Sequence, residues 1–160
     1  MHRPQRRDRP ALTHSELESF LRNEFPQAFK AGFSIEEIWH GGAQVRQAYR
    51  EDFIRPGGTL SGPTMMALAD YAMYVAVLAS IGPVPLAVTT NLNINFLRRP
   101  GAADLLAEAK LMKLGKRLAV GEVAIWSAGS VELVAHATST YSIPGPQDAL
   151  RYFHTNTLRE

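Results

Sequence analysis

The chain has 160 residues, 46% hydrophobic and 20% charged, the length and composition of one globular domain. The absence of cysteine excludes disulfides, thiolate catalysis and thiolate zinc sites, and it suits a reducing cytoplasm. The net charge of +2 comes from the first ten residues, where Arg3, Arg6, Arg7 and Arg9 face only Asp8. The body carries no basic stripe with interleaved aromatics, which argues against nucleic acid as a partner. No apolar stretch follows the basic N-terminus, so it does not read as a signal peptide. Residues 1–12 are expected to be a disordered basic arm, 13–145 a single domain and 146–160 a tail.

A helix is predicted over Thr13–Ala31. Thr13 and Glu16 have capping-box spacing, and Leu17, Phe20, Leu21 and Phe25 form an apolar stripe, with a break at Pro26. Phe33, Ile35, Ile38 and Trp39 suggest a strand with imperfect alternation. A turn at Gly41-Gly42 leads to a second strand with Ala43, Val45, Gln47 and Tyr49 on one face. After a loop at Arg55-Pro56-Gly57-Gly58, a long helix opens with Pro63 at its first position and closes at Gly82-Pro83. Residues 62–82 are apolar and long enough to span a bilayer. Asp70 stands near their middle, where a lone carboxylate costs roughly 2.5–3.5 kcal/mol, so a helix buried by its own protein is the better reading and no membrane is implied. Four strand-like runs follow: Leu86–Leu97, Asp104–Leu114, Leu118–Ser127 and Val131–Ile143. Short turns between them predict an antiparallel meander.

A helix apolar on nearly every face needs a sheet around it. The expected fold is therefore α+β of the hot-dog type, an antiparallel sheet wrapped around a long central helix. Within that helix Asp70 is flanked by Ala67, Leu68, Ala69, Ala72 and Met73. It is either a polar residue on a helix edge or a buried carboxylate that must be paired or functional. Gly62 is either a plain helix start or an outward N–H at the positive end of the dipole, able to stabilise an oxyanion.

The blocks GGTLSGPTMMALADYAMYVAV, AVTTNLNINFLRRPG, KLGKRLAVGEVAIW and LVAHATSTY resemble the PaaI-type acyl-CoA thioesterases of the hot-dog superfamily. The resemblance runs from about Arg55 to Tyr141. It includes an acidic residue eight positions after a helix-opening glycine, here Gly62 and Asp70. It implies hydrolysis of an acyl-CoA, with Asp70 as general base or nucleophile and Gly62 as oxyanion donor. Coenzyme A would enter as part of the substrate, with no other cofactor and no metal. Thr89 corresponds to a position where some members place a water-orienting serine; otherwise it is an ordinary strand threonine. Asn93 alternates with Asn91 and Asn95 and reads as either a ligand contact or a polar outer face. Lys116 and Arg117 are either a solvated turn or contacts to the CoA phosphates. Three positions depart from the pattern: Arg55 replaces an Asn or Gln, Ser61 a His, and Pro63 the second Gly. Arg55 and Ser61 are carried forward as substrate-binding candidates.

Eight residues of helix separate Gly62 from Asp70 by roughly 12 Å along the axis, too far for one thioester carbonyl. If both are catalytic, each site combines Gly62 of one subunit with Asp70 of another. A homodimer, and by extension a homotetramer, is expected in the cytoplasm. The alternatives are an acyl-CoA-binding protein without catalysis and an enoyl-CoA hydratase-like enzyme.

Overall fold

Thr13 starts the first helix as its spacing predicts. Its side chain accepts from the Glu16 amide while Glu16 accepts from the Thr13 amide, a complete capping box. This helix, α1 (His14–Glu24), ends at Phe25, and Pro26 opens a short α2 (Pro26–Lys30). Proline at a helix start sacrifices no hydrogen bond, so the chain turns here without leaving an amide unpaired. Leu17 and Leu21 are fully buried and attach α1 to the core. The computed structural model describes residues 8–145, 147 and 148.

The strands β1 (Phe33–Trp39), β2 (Gly42–Gln47), β5 (Val88–Phe96), β6 (Leu105–Leu114), β7 (Leu118–Ser127) and β8 (Leu133–Ser142) form one antiparallel sheet. Its order is β1-β2-β6-β7-β8-β5. A small hairpin, β3 (Ile54–Arg55) with β4 (Thr59–Leu60), precedes the long helix α3 (Gly62–Ile81). The predicted meander therefore holds for β6, β7 and β8 only. β5 pairs with β8, and β6 pairs with β2. The segment from Leu97 to Asp104 contains Pro100-Gly101 and is too long for a tight hairpin. It passes beside β4, where Pro100 O accepts from the Leu60 amide at 3.2 Å. This crossing lets the sheet curl around the helix from both sides.

Helix α3 is capped by Ser61, whose backbone is extended and whose hydroxyl accepts from the Thr64 amide. Gly62 is thus the first helical residue and Pro63 the second, one position later than expected. The cause is the serine cap, which places the boundary one residue earlier. The helix is long and apolar enough to cross a membrane, but most of it lies buried inside the protein. Met73 passes so close to β7 that a Cβ on Gly121 would stand 2.7 Å from its sulfur and 2.8 Å from Lys110 O. Pro63, Met66, Ala67, Asp70 and Tyr74 form the stripe of α3 that stays wholly or partly open. That stripe follows the helical repeat, so one side of an otherwise buried helix is left uncovered.

Residues 1–7 of the expected loose arm lie outside the described residues. From Asp8 onward the segment is held: Asp8 O accepts from the His40 amide, and the Ala11 amide donates to Ala79 O at 2.7 Å. Backbone hydrogen bonds to the body thus replace the disorder expected for residues 8–12. Of the tail only Gln147 and Asp148 are described.

Candidate active site

Asp70 projects from the open stripe of α3 toward the end of the sheet where β5 and β8 are paired. Thr89 and Tyr141 face each other across that pairing. Both hydroxyls reach the same carboxylate oxygen: Thr89 Oγ1 donates to Asp70 Oδ1, and the Tyr141 hydroxyl donates to Oδ1 at 2.8 Å. The Tyr141 hydroxyl also lies 2.9 Å from the main-chain oxygen of Asp70. Among the described residues nothing donates to Oδ2. Burial, then the Asp70 charge, pushes the Tyr141 phenol well above its ordinary range, so it remains a donor.

A cavity of about 350 Å³ opens beside this carboxylate. Its walls include Phe25, Phe33, Tyr71, Tyr74, Ala87 and Val88, with Glu24 at the same wall as Phe25. Phe33 stacks on Tyr71 at 4.6 Å, and Phe25 meets Tyr74 edge-on at 6.2 Å. Helix α1 therefore contributes its C-terminal end as one wall. A mainly apolar recess with one polar group at its side suits a small organic group.

Gly62 lies at the other end of β5. A Cβ added to it would stand 3.2 Å from the Phe96 ring, so glycine allows this aromatic to cover the helix start. The N–H of a first helical residue has no partner within the helix. Ser61, the neighbouring candidate, uses its hydroxyl on Thr64, whose amide and Oγ1 both lie within reach. Arg55 is exposed on the hairpin that leads into α3, at the Gly62 end.

Lys116 and Arg117 occupy the β6–β7 turn. Ala119, two residues on, pairs with Tyr141, so the turn belongs to the Asp70 end of the sheet. Arg117 stands 3.9 Å from Asp148, both largely exposed. Asn93 does not join the site. It is exposed opposite Thr138 on the outer face with Asn91 and Asn95, whereas Leu92 and Ile94 turn inward. Strand alternation is the reason: the face that buries Ile94 against the helix excludes both of its neighbours.

Sequence reasoning brought Asp70 and Thr89 together only loosely and missed Tyr141, Phe25, Phe33 and Phe96. Tyr141 had a signal. Ala135, Ala137, Ser139 and Tyr141 share the inward parity of β8, and three of them are small. A phenol closing such a row must find a hydrogen-bond partner inside. Asp70 itself is half-buried rather than enclosed.

The model of the thioesterase superfamily matches residues 57–134, which span the helix start, Asp70 and Thr89. A candidate esterase of Saccharolobus solfataricus is 30% identical over 134 residues, covering 84% of this chain and 87% of that protein. Among solved structures, a candidate thioesterase from a Silicibacter species is 44% identical with a TM-score of 0.78. The match covers 85% of this chain and 94% of that one. A variant of the phenylacetic acid degradation protein PaaI from Thermus thermophilus is 31% identical with a TM-score of 0.66, covering 74% and 99%. With the wrapped helix, the acidic residue on its open stripe and these relatives in agreement, the chain belongs to the thioesterase superfamily of hot-dog proteins and is of the PaaI type.

Proposed function

We propose that the protein hydrolyses an acyl-CoA thioester to the free acid and CoA. The observation that carries this reading is the Asp70 carboxylate, held at one oxygen and open at the other, beside a cavity of acyl-group size. The open oxygen takes a proton from water as the water adds to the thioester carbonyl, or it adds to that carbonyl itself. The Gly62 N–H receives the charge that develops on the carbonyl oxygen. The C–S bond then breaks and the CoA sulfur leaves as thiolate. On the general-base route it takes the proton that Asp70 accepted. On the nucleophilic route water cleaves the acyl–Asp70 anhydride, which releases the acid, restores the carboxylate and supplies the proton to the thiolate. Lys116 and Arg117 supply cations for the CoA phosphates.

The site needs two subunits. Asp70 and Thr89 lie at one end of β5, while Phe96 and Gly62 lie at the other. β5 is an edge strand with Val88, Phe96 and Leu97 about half exposed. Antiparallel pairing of two β5 edges about a two-fold axis brings Gly62 beside Asp70 of the partner subunit. It also covers an unpaired strand edge. Pairing of such dimers gives the tetramer.

Release of free CoA from a panel of acyl-CoAs tests the reading, run on the wild type and on Asp70→Asn. Asn keeps the size but cannot accept a proton from water, so kcat should fall by about 10²- to 10⁴-fold with little change in KM. Hydrolysis by Asp70→Asn at the wild-type rate would remove the catalytic assignment. A wild type that binds acyl-CoA without hydrolysing any would be a binding protein, attributable to the changes at Arg55, Ser61 and Pro63. Hydration of a crotonyl thioester without CoA release would make it a hydratase.

A further inference from the structure

Neither the family pattern nor the departures from it assign any role to Tyr141. We infer that the cross-strand pair Thr89–Tyr141 is a two-hydroxyl clamp that occupies Oδ1 of Asp70 and leaves Oδ2 as the reacting oxygen, with Tyr141 acting as a positioning residue. The register places the two hydroxyls side by side, one from edge strand β5 and one from its neighbour β8. Both aim at Oδ1, and among the described residues none aims at Oδ2. A carboxylate on a short side chain can rotate about χ2, exchanging its two oxygens. Two donors on one oxygen oppose that exchange and fix which lone pairs face the cavity.

The clamp is itself held. The Tyr141 ring packs nearly parallel to Tyr74, with centroids 6.3 Å apart. The Tyr74 hydroxyl donates to Pro85 O at 3.3 Å, in the segment that leads from α3 into β5. Burial keeps the Tyr141 hydroxyl protonated, so it stays a donor across the working pH range. Among the described residues, the other titratable groups lining this cavity are Tyr71 and Tyr74 of α3 and Glu24 at the end of α1, and the Lys116–Arg117 turn lies at the same end of the sheet. The arrangement also links assembly to chemistry. Thr89 belongs to the strand whose free edge the proposed dimer would cover, so pairing that edge steadies one of the two donors.

The catalytic half of this inference rests on the thioesterase reading; the structural half does not, and the experiment separates them. Tyr141→Phe keeps the ring and its packing while deleting one donor, and Thr89→Val deletes the other. Losing a donor leaves the carboxylate freer to turn about χ2 and exchange its oxygens. In Tyr141→Phe kcat should therefore fall about 10- to 100-fold with KM nearly unchanged, the split expected when a group made ready for the transition state is lost. Thr89→Val should behave alike, while Thr89→Ser restores wild-type behaviour. The same variants, labelled with ¹³C at aspartate and with the Asp70 signal identified by its loss in Asp70→Asn, report the hydrogen bonding of the carboxyl group directly by NMR at one fixed pH. The Asp70 carboxyl signal should be displaced in Tyr141→Phe, which keeps the ring and removes only the hydroxyl. A melting temperature within a few degrees of wild type shows that the variants fold. An unchanged kcat in Tyr141→Phe overturns the positioning role, and an undisplaced Asp70 carboxyl signal overturns the clamp. If the wild type hydrolyses no thioester, the functional reading falls while the NMR signal still decides the clamp.

Discussion

Gly62 combines two properties that can be separated by substitution. It supplies an N–H at the first helical position, and it leaves room for the Phe96 ring. Ala adds the Cβ and keeps the N–H. Pro adds the Cβ, removes the N–H and is favoured at a helix start. Ser61 before it is already extended, the conformation favoured for a residue preceding proline. If the amide holds the oxyanion, Gly62→Pro should lose about 10²- to 10³-fold more kcat than Gly62→Ala. Equal losses in steady-state assays of both variants would assign the glycine to packing alone. This pair of residues was legible as a spacing, because a helix start and an acid eight residues later leave a mark in the chain. Tyr141 left a weaker one, since only the strand register shows that its hydroxyl meets a carboxylate 71 positions away.

At the scale of elements, the decisive contact is α3 against β7. The helix approaches until Met73 sits where a side chain at position 121 would be, and the Lys110 carbonyl blocks the other direction. A methyl group there forces helix and sheet apart. Overpacking of a filled core costs typically 1–3 kcal/mol. Gly121→Ala should thus lower the melting temperature by roughly 2–12 °C, given the scaling for a domain of this size. Shortening Met73 in the same chain should recover only part of the loss, because the carbonyl is backbone and cannot yield. A Gly121→Ala protein melting with the wild type, followed by circular dichroism, would show that the sheet adapts more freely than the contact suggests. The helix was readable from its run of apolar residues, but its partner strands were not. Local patterning predicts that a strand exists, while the link through Pro100-Gly101 decides which neighbours it meets.

At the scale of the whole molecule, the edge strand β5 and the open stripe of α3 lie on the same side, and both belong to the proposed site. This predicts a protein of at least two chains at micromolar concentration, measured by light scattering after size exclusion. The lack of cysteine makes a sharper test available. Single cysteines at Asn91, Leu92 and Asn93 sample the centre of β5, where antiparallel partners bring Cβ atoms within about 4.5–5.5 Å. At least one of the three should give a dimer on non-reducing gels after mild oxidation, and a control at exposed Val131 should not. A chain that remains monomeric with full activity would require Gly62 and Asp70 to act independently.

The sequence by itself determined the wrapped helix, the acid on it and the glycine that opens it, because each rests on local periodicity or fixed spacing. It also determined that Gly62 and Asp70 are too far apart to share one carbonyl, since helix rise is nearly invariant. Only the tertiary structure decided that β5 lies at the sheet edge beside β8, that Asn93 turns outward, and that Thr89 and Tyr141 close on one oxygen of Asp70. The physical reason is the same in each case. Strand order and register are set by which long-range pairings bury the helix, and alternation along a strand carries no information about its neighbour.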